Sequence, residues 1–194
     1  MVVKYMFEGA KGTGKSTLCD KLMKKNENAK YIHFDAENVL NINDMKNHSE
    51  SDTTYFYDRG YLSNVIYDFV NDRKQSFDTK IQNDRLFLTS WSPLSLKDFS
   101  EMIDLVENKI IIMYASNYNV LFERINKRKK LFNKGATEHE LNLVEMTNTM
   151  FYAYYHILKK MEEIDNKNNN KDNNKIMLID ICNEKDIAKL ENLT

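Results

Sequence analysis

Proline occurs once in the 194 residues, tryptophan once, cysteine twice and glycine five times. So little proline and glycine excludes collagen-like, proline-rich and linker-dominated chains. Two cysteines, Cys19 and Cys182, exclude a disulfide scaffold and lack metal-ligand spacing, so both read as reduced, buried thiols. Neither sign of charge dominates: 28 Lys and Arg face 29 Asp and Glu, a formal net charge of −1. The broad basic field with which proteins grip a nucleic acid backbone is therefore missing, and no nucleic acid polymer is expected as partner. Long apolar runs are missing too, because Lys4 interrupts the opening one. No bilayer-spanning or signal segment is read, which points to a cytoplasmic chain without a membrane partner. The length suits one domain over residues 1–194.

What the sequence does have is alternation. Apolar runs and helical stretches follow one another throughout, the pattern of a mostly parallel sheet covered by helices, an α/β chain. Strands are predicted at Val2 to Phe7, Tyr31 to Phe34, Thr54 to Tyr57, Lys109 to Ala115 and Ile176 to Ile181. Helices are predicted at Lys15 to Lys25, where Leu18, Leu22 and Met23 share a face, at Tyr61 to Asn71, Ser95 to Val106, Tyr118 to Arg128 and Glu138 to Glu163, and from Glu184 onward. The stretch 165–175, DNKNNNKDNNK, has no apolar residue. It has nothing to bury in return for being ordered, and reads as a mobile surface loop.

Three of the five glycines fall at Gly9, Gly12 and Gly14. Gly9-Ala10-Lys11-Gly12-Thr13-Gly14-Lys15-Ser16 satisfies G-x-x-x-x-G-K-[ST] between a strand and a helix, the context the phosphate-binding loop requires. Its backbone can curl so that the N–H groups of Gly9, Lys11, Gly12, Thr13 and Gly14 point at phosphate oxygens, and the helix from Lys15 adds the positive end of its dipole. Lys15 then reaches the β- and γ-phosphates of ATP, Ser16 can ligate Mg²⁺, and Thr17 either touches the α-phosphate or bonds to backbone.

Two further strands end in acids, Asp35 and Asp58, at the sheet edge where open α/β folds bind ligands. Asp58 suits the magnesium side and Arg59 a second anionic group, since guanidinium offers phosphate a planar fork. Asp35 either orients the acceptor, acting as general base toward a hydroxyl, or caps the next helix. His33 reads as structural. For a base-stacking aromatic, Tyr61, Phe69, Phe77 and Trp91 are candidates by position. Arg124, Lys127, Arg128, Lys129 and Lys130 form a basic run leading into Leu131 to Gly135, a lid over 124–138. Arg124 and Arg128 share a helical face and can close on a triphosphate during transfer.

Phe7-Glu8-Gly9-x-x-Gly12-x-Gly14-Lys15-Ser16-Thr17, with Leu22 beyond it, resembles the opening of the thymidylate kinase family. Asp58-Arg59-x-x-x-Ser63-Asn64-x-x-Tyr67 resembles its D-R-x-x-x-S motif, and Ile112-Met113-Tyr114 with Leu121 to Arg128 its later strand and lid entry. The resemblance implies the three-layer P-loop nucleoside monophosphate kinase fold, with a five-stranded parallel sheet and helices on both faces. It implies ATP as phosphoryl donor, Mg²⁺, and a small-molecule acceptor held by Asp35, Arg59, Ser63 and Tyr67. Lys15, Asp35, Arg59, Arg124 and Arg128 would carry catalysis, Ser16 and Asp58 the metal, and a homodimer would be the assembly. Deoxynucleoside kinases share this layout, and in them an acid at the position of Asp35 is the base. A nucleotide-hydrolysing switch module is the alternative from another class. The sequence departs from the thymidylate kinase pattern at Lys11, where that family has an acid, and at His33-Phe34-Asp35, which replaces an Arg-Glu-Pro motif.

Overall fold

A computed structural model of the chain describes residues 3–26, 28–35, 40, 42–50, 53–60, 62, 63, 66, 67, 70, 96–132, 134–172 and 174–191. Five strands, β1 (Val3–Gly9), β2 (Ala29–His33), β3 (Thr54–Asp58), β4 (Val106–Tyr114) and β5 (Ile176–Asp180), form one sheet. Its order is β2-β3-β1-β4-β5 and every pairing is parallel. This is the five-stranded parallel sheet that the resemblance implies, with strands where the apolar runs place them. β4 shows why a sheet covered on both sides reads as an unbroken apolar run: Ile110, Ile111, Ile112 and Met113 are consecutive and all at most 3% exposed.

The helices described in full are α1 (Lys15–Met23), α2 (Ile42–Ser49), α3 (Leu96–Leu105), α4 (Asn119–Lys130), α5 (Glu138–Asn169) and α6 (Glu184–Glu191), and within the stretch expected to be helical from Tyr61 to Asn71 the described residues Leu62, Ser63, Ile66, Tyr67 and Val70 are helical. α1 covers β1 to β3, and α5 covers β1, β4 and β5. Right-handed crossovers running toward opposite ends of the sheet place these two helices on opposite faces. α2 and α3 pack against each other and α3 against α5, while α6 rests on β5. Among the described residues, no helix is long and apolar enough to cross a membrane.

Several elements depart from the sequence reading. α2 was not expected, because INDMKNHS is mostly polar and Met45 is its one fully buried apolar side chain. Cys19, not Met23, joins Leu18 and Leu22 on the buried face of α1. Cys182 is exposed, so the expectation of two buried thiols holds for Cys19 alone. The loop expected at 165–175 starts later, since α5 runs on through Asn169. Polar contacts extend it: Asn169 donates to Asp165 (2.8 Å), and Lys171 lies 3.7 Å from the buried Asp165 carboxylate and 2.8 Å from Asp104. Glu162, 2% exposed, accepts from the backbone N–H groups of Lys175 and Ile176. At its other end α5 begins with a capping box in which Thr137 and Glu140 bond reciprocally.

Candidate functional site

The chain leaves β1 toward β2 on one side and β4 toward β5 on the other, so a crevice opens outside the carboxyl ends of β1 and β4. The glycine loop sits at its mouth. Gly9 has φ 147°, and a Cβ there would meet the Met113 carbonyl oxygen at 2.3 Å. Glycine thus lets β1 leave the sheet hard against β4. Gly14 precedes α1 with φ 99°, a left-handed conformation, and brings no capping side chain to the helix's first amides. Those N–H groups keep their capacity for an anion. Thr13 braces the loop from inside, its hydroxyl donating to the Ala10 carbonyl at 2.9 Å.

Lys15 folds back over this loop. Its ammonium donates to the carbonyls of Gly9 (2.7 Å) and Ala10 (3.0 Å) and is 6% exposed. Burial pulls it down from 10.5 to about 8, with Asp58 partly offsetting the effect. Beside it, Ser16 donates to Asp58 Oδ2 at 2.5 Å, and the Tyr31 hydroxyl donates to the same oxygen at 2.7 Å. His33 Nδ1 lies 3.3 Å from it. Burial alone would raise the Asp58 carboxyl; the Lys15 ammonium and the two hydroxyl donors outweigh it and hold the acid below its ordinary range. The other oxygen, Oδ1, is buried without a hydrogen-bond partner among the described residues. A hydroxyl paired with an ionised carboxylate that keeps one oxygen uncommitted is an oxygen donor set suited to a hard cation such as Mg²⁺.

Arg59 follows Asp58 in a left-handed conformation (φ 68°), held by its N–H donating to the Phe7 carbonyl at 2.8 Å. Only small or special residues adopt this conformation without strain, and such strain gathers at functional positions. Its guanidinium lies over the Tyr67 ring, 4.9 Å from the centroid, and its Nε has no hydrogen-bond partner among the described residues. Ser63 points elsewhere. Its hydroxyl donates to Glu8, which also accepts from the N–H groups of Leu62 (3.0 Å) and Ser63 (3.1 Å).

Sequence reasoning quoted Glu8 within a motif but gave it no role. The structure makes it the link between the glycine loop and the turn carrying Arg59. It is fully buried, and burial pushes its carboxyl up to about 7 against the pull of those donors.

On the far side of the loop a cleft of about 770 Å³ opens between α1, α4 and α6. Leu18, Met113, Ile125, Ile181, Ile187 and Leu190 give it an apolar lining, and Lys21, Lys24, Lys25, Arg124 and Arg128 a cationic one. An apolar slot with cations at its edge suits a nucleotide, whose base is flat and whose tail is anionic. Arg124 and Arg128 meet in this cleft, and Arg124 also donates to the Gly12 carbonyl at 3.1 Å. The segment after α4 is tied back to it: Ala136 N–H donates to Asn126 (3.1 Å), and Lys129 pairs with Glu140. Asp180 shapes the neighbouring edge by accepting from the N–H groups of Ser116 and Cys182.

The structure thus gathers Gly9, Gly12, Thr13, Gly14, Lys15, Ser16, Asp58, Arg59 and Tyr67 at one sheet edge. Lys11 and Thr17 are exposed on the loop and the first turn of α1. Asp35 is exposed just past β2 and well before α2, so it does not cap that helix. Tyr61, Phe69, Phe77 and Trp91 lie outside the described residues. Tyr31 was missed altogether. Its signal was the alternation of β2, which puts residue 31 on the same side as His33, level with Asp58 in the parallel register.

No family model and no curated protein matches the sequence. Two solved structures of deoxyadenosine kinase from M. mycoides are similar in fold. The form with bound dATP gives a TM-score of 0.51 at 15% identity and the form with products dCMP and a flexible dCDP 0.50 at 16%, each covering 98% of both chains. The described residues share that fold, a five-stranded parallel sheet with helices on both faces.

Proposed function

We propose that the protein transfers the γ-phosphoryl group of ATP to a small nucleoside or nucleoside monophosphate. The observation that supports this most is a buried lysine over a glycine loop, set beside a Ser16–Asp58 pair at the crevice of a parallel sheet. In this reading the loop amides and Lys15 take the polyphosphate tail, and the apolar cleft takes the donor's base. Ser16 and Asp58 would hold Mg²⁺, which would supply charge neutralisation to the phosphates. Arg124 and Arg128 form the donor-side arm of a lid over 124–138 and meet the charge that develops on the transferred group. Arg59, its Nε unpartnered, faces the acceptor. Glu8 and Ser63 act behind it by fixing the turn that presents Arg59. The homodimer implied by the resemblance belongs to this reading and is checked by light scattering.

Two acceptors divide the proposal. A deoxynucleoside is favoured by the end-to-end fold likeness to a deoxyadenosine kinase, with Asp35 as the acid beside the acceptor hydroxyl. A monophosphate is favoured by Arg59, a guanidinium next to Asp58 whose Nε has no partner among the described residues. Purified protein is incubated with Mg²⁺, ATP and each common deoxynucleoside or monophosphate, and product masses are read. Gain of one phosphoryl group on either acceptor supports the proposal and chooses between them. ADP release with no phosphorylated acceptor would favour a switch module instead. Arg59→Ala is expected to raise KM for a monophosphate much more than KM for ATP; equal effects would remove Arg59 from the acceptor side.

A further inference from the structure

We propose that Tyr31 is the positioning residue of the Asp58 carboxylate, fixing the orientation in which one oxygen is held by hydroxyls and the other is left for the metal. The inference rests on the kinase reading above. It starts from an asymmetry. Oδ2 of Asp58 receives the Ser16 hydroxyl at 2.5 Å and the Tyr31 hydroxyl at 2.7 Å, and has His33 Nδ1 at 3.3 Å, while Oδ1 is buried with no hydrogen-bond partner among the described residues.

A carboxylate turns about a broad, nearly two-fold torsion, so by itself it exchanges its oxygens freely. Here two hydroxyls from different elements, α1 and β2, converge on one oxygen. A rotation of the carboxylate away from this setting weakens both bonds at once. Ser16 alone makes a weak lock, because in the kinase reading its oxygen is shared with the metal. Tyr31 shares its hydroxyl with no metal in that reading, and meets His33 Nδ1 at 3.5 Å on the same side. Its ring lies nearly parallel to that of His33, 6.4 Å between centroids and 23° between planes, on the outermost strand of the sheet. The register of β2 on β3 sets His33 level with Asp58 and Tyr31 one step back on the same face, at the distance a phenol can span. Outer partners of this kind orient the groups that touch a metal, and their loss typically weakens metal affinity about 10- to 100-fold.

The test is Tyr31→Phe, which keeps the ring and removes the hydroxyl. Calorimetric titrations with ADP are run in EDTA and in Mg²⁺, on both proteins, after thermal melts confirm that the variant is folded. Titration of Mn²⁺ by electron spin resonance, in the presence of ADP, reads the metal directly. ADP affinity in EDTA is expected to stay within about 2-fold of wild type, while the gain that Mg²⁺ brings falls about 10-fold and Mn²⁺ binding weakens in step. An undiminished Mg²⁺ gain in Tyr31→Phe overturns this inference and leaves the proposed function standing. So does an equal loss with and without metal, which would make Tyr31 a support of the loop and not of the carboxylate. If wild type itself gains nothing from Mg²⁺, the kinase reading falls and takes this inference with it.

Discussion

Replacing Lys15 with methionine keeps the length of the side chain and removes its charge, which separates what the ammonium does for the fold from what it does for a nucleotide. The drop from 10.5 to about 8 corresponds to roughly 3 kcal/mol against the charged form, at 1.36 kcal/mol per unit. The variant escapes that penalty. It also leaves the Gly9 and Ala10 carbonyls without their donor, at about 1 kcal/mol each. The two nearly cancel, so the nucleotide-free variant is expected to lie within about 1 kcal/mol of wild type at pH 7 in urea melts. With Mg²⁺ and ATP the balance changes. A ligand at 100 times its Kd stabilises wild type by about 2.7 kcal/mol. Losing hydrogen bonds to a charged phosphate, worth about 1.5 to 3 kcal/mol, weakens binding roughly 10- to 100-fold and cuts that stabilisation to about 1 kcal/mol.

The pH dependence gives a second readout. Below pH 8 both the folded and the unfolded chain hold the Lys15 proton. Between about 8 and 10.5 only the unfolded chain does, so the folded state gains stability as pH rises through that window. Lys15→Met should abolish this rise. A nucleotide-free loss above about 3 kcal/mol would make the ammonium a structural staple and refute the reasoning. Unchanged stabilisation by Mg²⁺ and ATP would refute it from the other side.

Glu8→Ala is expected to destabilise by roughly 2 to 4 kcal/mol in urea melts, because two backbone N–H groups and the Ser63 hydroxyl lose a buried acceptor. The raised Glu8 value carries its own sign: the folded chain keeps a proton that the unfolded chain has released, so stability falls as pH rises from 4.5 to about 7. Glu8→Gln should flatten that fall, measured as melting temperature against pH. Thr137→Ala removes the side-chain cap at the start of α5 and is expected to lower stability by about 1 kcal/mol.

The site was legible where chemistry is local in sequence. The glycine spacing of Gly9, Gly12 and Gly14 states a backbone shape, and Lys15 and Ser16 follow it at fixed offsets, so loop, helix and phosphate seat could be read together. The acid at the end of β3 was readable because a parallel strand delivers its last residue to the crevice. Glu8 and Tyr31 were not. Each acts on a residue far along the chain, Glu8 on Leu62 and Ser63 and Tyr31 on Asp58, and nothing near either one announces the partner.

The strands were legible because β4 is apolar on both faces. The last turns of α5 were not, since charges hold them: Glu162 and Asp165 face inward and meet Lys159 and Lys171. A rule that looks for apolar periodicity stops before them. α2 escaped for the same reason, resting on Met45 with a largely polar remainder.

The central claim is that main-chain amides of the glycine loop, with Lys15 above them, hold the phosphates of a nucleotide. Amide resonances followed by NMR while Mg²⁺ and ATP are added test it most directly. The account expects saturable shifts, largest at Gly12, Thr13, Gly14, Lys15 and Ser16, with smaller ones at Ile181 and Ile187 along the cleft. Loop amides that stay unmoved at saturating nucleotide, or shifts confined to another face of the sheet, would contradict it.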